Sequence, residues 1–283
     1  MKRTSSKGPV TDSGERKSRK ADRSNGVKGT GSRTQSQRVA RYVRDLRTAL
    51  RRAGSPARAV GAKAYLKSSL EFYGVASPAL YAIVRGFLAD HPTLSAGEVR
   101  ALVRALWRIR NHEVRSAAVM LLDRRRTILD RRDLPMLERW LRESRSWAYV
   151  DWIATHLVAA ILARDPGVIP TLRRWAADDD FWIRRSALLA LLPSLRRGGG
   201  GFDFFVTLAD PMVIEPEFFI RKALGWVLRE VGKSRPDLTS AFLARHVSTA
   251  SGVTWREAIK YLPRAERARL SSLRDAAVRT NQG

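Results

Sequence analysis

Asp151 is the residue of this chain best placed for chemistry, because it is a lone carboxylate on the apolar face of a predicted helix. At helical spacing it shares that face with Trp147, Val150, Ala154, Val158, Ile161 and Leu162. An ionised carboxylate among buried apolar groups is costly unless a cation, hydrogen bonds or an open cleft compensates it. In a chain with a formal net charge of +26, this placement predicts a functional site.

A second inward-pointing charge is predicted at Arg185. Trp182, Leu188, Leu189 and Leu192 fall on the same helical face, so the guanidinium emerges from an apolar stripe. One interpretation is a buried Asp151–Arg185 pair that merely fixes packing, because such pairs occur without any catalytic role. The other is a site in which both charges serve chemistry.

Tryptophans favour the second interpretation. Trp147, Trp152, Trp182 and Trp226 occur within or near the inward faces, although core packing alone would also explain any one of them. A carboxylate framed by aromatic faces suits the stabilisation of a developing cation, because the anion and the ring quadrupoles both favour positive charge. Such a cation forms when a sugar loses its base.

Other chemistries find little support in the sequence. The absence of cysteine excludes disulfides, thiolate metal sites and cysteine nucleophiles. The four histidines lack metal-ligand spacing, so we expect no metal and no cofactor. Asp178, Asp179 and Asp180 are more simply helix caps than a magnesium site. A Schiff-base lyase has no obvious amine, since Lys222 is the one lysine near the predicted site.

The basic composition indicates a polyanionic partner. Lysine and arginine total 53 against 27 aspartate and glutamate, and the excess continues beyond the first forty residues. Such a surface attracts phosphate backbones, although the arginine content is equally compatible with genomic base composition. No apolar run approaches membrane-spanning length and the N-terminus lacks a signal-peptide core. We therefore expect a cytoplasmic, nucleoid-associated protein without a membrane partner.

Composition predicts one folded domain between two tails. Residues 1–36 are rich in Ser, Gly, Lys and Arg and are predicted to be a disordered basic arm, which either adds affinity for nucleic acid or has no dedicated role. Residues 37–277 are predicted to form one α-helical domain, and residues 278–283 a disordered tail. A monomer is expected.

Helical periodicity predicts an all-α fold. Helix starts are predicted at Ser77-Pro78, at Ser95 with Glu98, at Asp165-Pro166, and at Thr254 with Glu257. Apolar helices also begin near Val114-Arg115, Val150-Asp151, Ile183-Arg184 and Ile220-Arg221, at intervals of 36, 33 and 37 residues. This spacing predicts a HEAT-like solenoid of paired helices with a concave basic face, unless the loose alignment is coincidental. Gly198–Gly201 are predicted to form a flexible connection.

Several segments resemble the DNA alkylation repair glycosylases of the AlkD type. The run from Phe218 to Glu230, FFIRKALGWVLRE, with REAIK at residues 256–260, is similar to the C-terminal signature of that family. Upstream, AYLK at 64–67, FYGV at 72–75, and Trp107 with Glu113 fit its earlier segments. Ser146-Trp147 with Asp151, and Trp182 with Arg185, fit its central motifs. The resemblance covers roughly residues 38–265.

That resemblance implies a HEAT-like solenoid that holds duplex DNA and hydrolyses the N-glycosidic bond of N3- or N7-alkylated purines. Asp151 would be the catalytic carboxylate, with Trp147 and Trp226 as flanking aromatic residues. Arg185, Tyr65, Trp182 and Lys222 would contact the DNA. The sequence departs from the family around Trp147, where Ser146 precedes and Ala148-Tyr149 follow, and this leaves the substrate preference open.

Two other functions compete with a monofunctional alkylpurine DNA glycosylase. The first is a noncatalytic HEAT-like module that binds nucleic acid through phosphate contacts, with Asp151 and Arg185 as a structural pair. The second is a protein-scaffolding solenoid, which the high positive charge disfavours because it would need acidic protein partners.

Overall fold

The computed structural model describes residues 25–280, with side chains described for residues 34–279. Within that range the chain is helical and contains no strand, only an isolated bridge between Glu71 and Asn111. The predicted all-α class is therefore confirmed. The α-helices are α1 Asn25–Arg52, α2 Pro56–Leu66, α3 Ser77–Asp90, α4 Ala96–Trp107, α5 His112–Arg124, α6 Leu134–Ser144, α7 Trp147–Trp152, α8 Ala159–Leu162, α9 Ile169–Ala176, α10 Phe181–Leu189, α11 Leu192–Arg196, α12 Phe202–Ala209, α13 Phe218–Gly232, α14 Pro236–Arg245, α15 Gly252–Ala258 and α16 Arg264–Thr280.

Two compact units divide the chain, residues 1–38 and residues 39–283. The second unit contains every contact discussed below. The first is described from Asn25, the first residue of α1. The predicted disordered segments, 1–36 and 278–283, fall partly on residues 1–24 and 281–283, which lie outside the described residues. The predicted domain boundaries thus stay predictions.

Helices of the second unit pack as successive pairs. One layer is formed by α5, α7, α10, α13 and α15, each of which contacts the next in chain order. A second set packs against it, with α4 on α5, α6 on α7, α9 on α10 and α14 on α13. The four dipeptides of the predicted repeat lie on α5, α7, α10 and α13, so the repeat register corresponds to successive helices of one layer.

Stacked and buried tryptophans fix the second set of helices. Trp107 of α4 stacks on Trp140 of α6 with centroids 4.4 Å apart and an interplanar angle of 9°. Trp175 of α9 is fully buried, and its Nε1 donates to Glu138 of α6 at 2.9 Å. These rings lie in the core, where an indole N–H needs an acceptor.

Three of the four predicted helix starts are confirmed, two of them by side-chain caps. Ser95 and Glu98 form a capping box at α4, and Asp165 caps the 3₁₀ turn that leads into α9. The predicted start at Ser77-Pro78 is also confirmed, because Ser77 is the first residue of α3, although the N-cap position is Ala76, which forms no side-chain cap.

Thr254 does not cap α15, so the predicted capping pattern of Thr254 with Glu257 is wrong. Ser251 is the N-cap and its Oγ accepts the backbone N–H of Thr254 at 3.1 Å. The Thr254 hydroxyl instead donates to the carbonyl of Arg221 in α13 at 3.1 Å. Thr254 is therefore used in packing α15 against α13, and Glu257 is left for another role.

No helix within residues 25–280 is both long and apolar enough to cross a membrane.

Candidate active site

One cleft of about 400 Å³ gathers most of the charged and aromatic residues singled out in the sequence. Helices α2, α7, α10, α13 and α15 each contribute at least one side chain to its wall. The lining residues are Tyr65, Trp147, Asp151, Arg185, Phe218, Phe219, Lys222, Trp226, Arg229 and Glu257. Six of the seven residues predicted to form the site are thus brought together.

Helix α7 presents Trp147 and Asp151 to the cleft from one face. The Ser146 hydroxyl caps the helix, and Trp147 is its first residue. Asp151 follows one turn later, so the two side chains project in the same direction. The carboxylate is 20% exposed, which leaves one edge open to the cleft.

A π-helical turn begins two residues after Asp151. Residues Ile153–Val158 adopt this geometry between α7 and α8, and the Thr155 hydroxyl donates to the Asp151 carbonyl at 2.6 Å. Single π turns interrupt the regular i→i−4 ladder and are found frequently at functional sites. The apolar pattern of residues 147–162 predicted one continuous helix, and it carries no signal for the extra residue in this turn.

Arg185 of α10 forms a bidentate ion pair with the Asp151 carboxylate. Its Nε donates to Oδ1 at 2.8 Å and its Nη2 to Oδ2 at 2.9 Å, while Nη1 donates to the carbonyl of Phe219 at 2.5 Å. The Arg185 side chain is 5% exposed. Three of the five N–H groups of the guanidinium have a protein acceptor, and two of them hold the carboxylate of Asp151. Arg185 therefore orients Asp151, and its predicted contact with DNA stays a prediction.

Helix α13 supplies the opposite wall of the cleft. Phe218, Lys222, Trp226 and Arg229 recur at intervals of three or four residues and so share one face. Phe218 is 52% exposed at the mouth of the cleft. Lys222 and Trp226 were predicted to belong to the site, whereas Phe218 and Arg229 were not, although both stand in the same sequence run.

Glu257 of α15 is a second carboxylate in the cleft. It accepts hydrogen bonds from Lys222 Nζ at 3.0 Å and from Arg229 Nη1. The hydrogen bond from Lys222, opposed by partial burial, lowers the pKa of Glu257, and the charge of Arg229 adds to this effect. Glu257 thus carries a negative charge at neutral pH and holds Lys222 and Arg229 against α15.

Glycine at position 225 permits that arrangement. A Cβ built on Gly225 would lie 2.7 Å from the Cβ of Glu257 and 3.0 Å from the carbonyl oxygen of Thr254. The backbones of α13 and α15 therefore approach more closely than any side chain at position 225 would allow.

Exposed aromatic rings frame the entrance to the cleft. Tyr65 of α2 is 74% exposed and meets Trp147 edge to face, with ring centroids 6.2 Å apart. Trp147 is 38% exposed. Large aromatic side chains are usually well buried, so exposed rings around one carboxylate indicate a surface that contacts a ligand.

Trp182 and Trp152 lie outside the cleft. Trp182 is 8% exposed and packs against Phe219 with centroids 4.6 Å apart, so it supports the cleft wall from behind. This burial does not support the predicted DNA contact by Trp182, which stays a prediction. Trp152 turns away from the cleft, and its Nε1 donates to Asp123 at 3.2 Å.

The aspartate run before α10 has a structural explanation. Asp180 caps α10 by accepting the backbone N–H of Trp182 at 2.9 Å. Asp178 pairs with Arg142, with the closest nitrogen–oxygen distance 2.6 Å. Within residues 34–279 no three His, Asp or Glu side chains are grouped so that they could hold a metal ion.

The cleft therefore combines the partly exposed carboxylate of Asp151, aromatic side chains, and the basic side chains of Lys222 and Arg229. Both of its carboxylates are held by cations, Asp151 by Arg185 and Glu257 by Lys222 and Arg229. The free edge of Asp151 can interact with a cationic group or accept a proton from water. The rings of Trp147 and Trp226 can face the same cation.

The chain is similar to known proteins both in its family profile and in its structure. The profile of the DNA alkylation repair enzyme family matches residues 46–262. A predicted DNA alkylation repair enzyme from Enterococcus faecalis superposes with a TM-score of 0.67 at 23% identity, covering 75% of this chain and 97% of the other. AlkD2 from Streptococcus mutans superposes with a TM-score of 0.54 at 16% identity, covering 81% and 99%. No curated protein shows significant sequence similarity to the chain.

The two structural similarities, at this level of identity, establish a shared helical-repeat fold. The family profile adds the sequence relationship, since it spans most of the chain and includes every residue of the cleft. The chain belongs to the DNA alkylation repair enzyme family.

Proposed function

We propose that the protein is a monofunctional DNA glycosylase that hydrolyses the N-glycosidic bond of N3- or N7-alkylated purines in duplex DNA. The observation that carries the proposal is the partly open carboxylate of Asp151, fixed by Arg185 and set among Trp147, Trp226 and Tyr65. A DNA repair role follows from the family, and the cleft supplies groups suited to this reaction.

Alkylation at N3 or N7 gives the purine ring a positive charge. When the bond from the sugar C1′ to the purine nitrogen breaks, the nitrogen keeps the electron pair and the base leaves neutral. The positive charge moves to the sugar as an oxocarbenium-like species. Protonation of the leaving group is not required, so a single carboxylate suffices, unlike the two-carboxylate arrangement of most glycoside hydrolases.

Asp151 acts in both halves of this reaction. Its charge stabilises the cationic sugar, and its open edge orients a water molecule whose oxygen attacks C1′. The proton lost by the water passes to the carboxylate, and the products are the free base and an abasic deoxyribose. Arg185 fixes the orientation of the carboxylate through its two hydrogen bonds.

The aromatic walls act on the same charge. The faces of Trp147 and Trp226 are electron-rich, and a cation over such a ring gains about 0.5–2 kcal/mol. That gain grows as charge accumulates on the sugar, so it favours the transition state over the ground state. Lys222, which is 41% exposed and paired with Glu257, is assigned in this proposal to a DNA phosphate at the edge of the cleft.

The reaction is tested directly by release of free base. Purified protein is mixed with duplex DNA that contains N7-methylguanine or N3-methyladenine, and the released base is quantified by chromatography against an unmodified duplex. We expect release from the alkylated duplexes alone. Binding to both duplexes without release from either would refute the glycosylase proposal.

A noncatalytic nucleic-acid-binding module is the second candidate. One observation favours it: the bidentate Asp151–Arg185 pair compensates the carboxylate without any need for a ligand. In that case replacement of Asp151 alters stability and leaves nucleic-acid binding as the whole function. We further propose that the protein acts as a monomer in the cytoplasm, associated with the nucleoid.

A further inference from the structure

A second pocket, of about 710 Å³, is lined mainly by basic side chains. Six cations and one carboxylate, Glu143, contribute to its lining. The cations are Lys67, Arg110, Arg115, Arg139, Arg142 and Arg145. We call this pocket the basic basin. Arg142 is already neutralised by Glu138 and Asp178, and Arg139 lies 3.9 Å from Glu143, which leaves four cations to be accounted for.

Arg115 is a buried cation without a hydrogen-bonded carboxylate. Its side chain is 9% exposed, and its Nη2 lies 4.0 Å from Glu143, whose Oε2 already accepts Trp107 Nε1 at 2.7 Å. The guanidinium rests on the Trp107 ring, 4.8 Å from the centroid, and its Nε donates to the carbonyl of Ile109. Burial lowers the pKa of Arg115, and the nearby charge of Arg110 adds to this effect. A buried cation in this state is stabilised by an incoming anion.

Lys67 and Arg145 occupy backbone positions that favour glycine. Their φ angles are 47° and 43°, the only positive values at non-glycine residues in the described part of the chain. Lys67 ends α2 and Arg145 ends α6, where glycine or asparagine usually adopts this conformation. Within residues 34–279 neither side chain has a carboxylate within 4.0 Å. Among the described residues, two cations thus hold strained positions without a carboxylate partner, which points to a ligand for their side chains.

Two residues of the basic basin lie close in sequence to residues that line the cleft. Lys67 follows Tyr65 by two residues, and Arg145 precedes Trp147 by two residues. Tyr65 and Trp147 meet edge to face at the mouth of the cleft. A polymer that places one unit against Trp147 and Asp151 therefore passes its neighbouring units over Lys67 and Arg145.

We propose that the basic basin binds the backbone phosphates that flank the nucleotide held in the cleft, with Lys67, Arg110 and Arg145 at the phosphate oxygens and Arg115 beneath them. The proposal deepens the proposed function and rests on it for duplex DNA as the ligand. Arginine suits this task because its planar fork matches two phosphate oxygens. The phosphates supply negative charge to Lys67, Arg110 and Arg145, whereas within the described residues Arg115 has only Glu143, at 4.0 Å.

Affinity for an unmodified duplex tests the proposal without reference to catalysis. The dissociation constant is measured across a salt series for the wild type, Lys67→Gln, Arg145→Gln and the double variant. Removing one phosphate-binding cation should lower the slope of log affinity against log salt by about 0.9 and weaken binding about 3- to 10-fold at moderate salt. The matched control is Arg132→Gln, which removes an 89% exposed cation outside the basin, and for which we expect an unchanged slope.

Glycine variants separate a ligand role from a structural one. Lys67→Gly and Arg145→Gly relieve the strained backbone, so we expect melting temperatures at or above that of the wild type together with weaker duplex binding. Unchanged affinity and slope in the glutamine variants would overturn the proposal. A lower melting temperature in the glycine variants would show that the two cations serve the fold and would also overturn it. If the glutamine variants bind duplex DNA weakly while the wild type releases no base, the proposal that the basic basin binds phosphates is supported and the glycosylase proposal fails.

Discussion

Arg185 and Asp151 form a bidentate pair in which Nε and Nη2 lie 2.8 and 2.9 Å from the two carboxylate oxygens. The remaining nitrogen, Nη1, donates to the carbonyl of Phe219. One guanidinium therefore connects α7, α10 and α13, the three helices that form most of the cleft. The orientation of the carboxylate is set by a buried cation, which makes Arg185 the residue on which the geometry of Asp151 depends.

Replacement of Arg185 by lysine should slow base release more than it weakens duplex binding. An ammonium group cannot form the planar fork, so it leaves either one carboxylate oxygen or the Phe219 carbonyl without its donor. We expect a loss of about 10- to 100-fold in the single-turnover rate, which corresponds to about 1.4–2.8 kcal/mol.

The neighbouring residue provides the control for that experiment. Arg184 forms an equivalent fork with Glu215, with distances of 3.0 and 2.7 Å, and does not line the cleft. Arg184→Lys makes the same chemical change one position away. Equal rate losses in the two variants would contradict a specific role for Arg185 in orienting Asp151.

Trp147 should contribute to the rate through its ring face. Trp147→Ala removes the aromatic surface beside Asp151, and we expect about a 10- to 30-fold slower single-turnover rate, since a desolvated cation–π contact is worth up to about 2 kcal/mol. Trp147→Phe keeps a smaller ring and should lose less. Trp152→Phe changes a tryptophan outside the cleft, and its rate should match that of the wild type. A rate for Trp147→Ala equal to that of Trp147→Phe would argue against the ring contribution.

Gly225 should tolerate no side chain. In Gly225→Ala the new methyl group would meet Glu257 and Thr254 at 2.7–3.0 Å, so α13 and α15 must separate. We expect a loss of about 1–3 kcal/mol in the free energy of unfolding, measured by urea denaturation. Gly86→Ala in α3 is the control, because a Cβ there meets nothing within 4 Å. That variant should gain up to about 1 kcal/mol, as expected for an open helical position. Destabilisation of both variants alike would mean that close packing is not the cause.

Glu138 should give the fold an acid-sensitive contribution to stability. Hydrogen bonds from Arg174, Arg142 and Trp175 outweigh the effect of burial and lower the pKa of Glu138 to about 2. Because the folded-state pKa is depressed, the contribution is fully present above the unfolded-state pKa of about 4.3 and is lost as pH falls toward 2.

The pH dependence is measured by thermal unfolding of the wild type beside Glu138→Gln. At pH 7 the variant should be less stable by about 1–2 kcal/mol, since solvent screens the two arginine pairs. The difference should stay constant down to about pH 5 and narrow below about pH 4.3. A difference that is independent of pH would show that the Glu138 charge contributes nothing.

Helical periodicity was enough to predict the fold class and four of the ten residues that line the cleft, Trp147, Asp151, Arg185 and Trp226. Asp151, Trp147 and Trp226 were predicted because charged or aromatic residues on the inner face of a helix must lie either in the core or in a cleft of an all-α chain. Arg185 was recognised as inward-facing for the same reason. The hydrogen-bond partner of Arg185 and the burial of its side chain were not predicted. Both depend on how α7 packs against α10, and the pattern of residue types along the sequence does not contain that information.

The features that the sequence did not predict arise from contacts between distant segments. Glu257 matched a capping motif with Thr254, and the competing cap by Ser251 became visible only in the folded chain. The π-helical turn after Asp151 hardly changes the spacing of the apolar residues in the sequence, so this spacing could not predict it. The positive φ angles of Lys67 and Arg145 fall on residues that seldom adopt them, so composition gives no warning of them.

The most direct test of the central claim is the single-turnover release of N7-methylguanine from duplex DNA by the wild type and by Asp151→Asn. Asp123→Asn is the matched control, because it makes the same change in a carboxylate that binds Trp152 and Arg126 outside the cleft. We predict that Asp151→Asn loses nearly all release while it keeps duplex affinity, and that Asp123→Asn releases base at the wild-type rate. Release by Asp151→Asn at the rate of the wild type would contradict the catalytic assignment of Asp151.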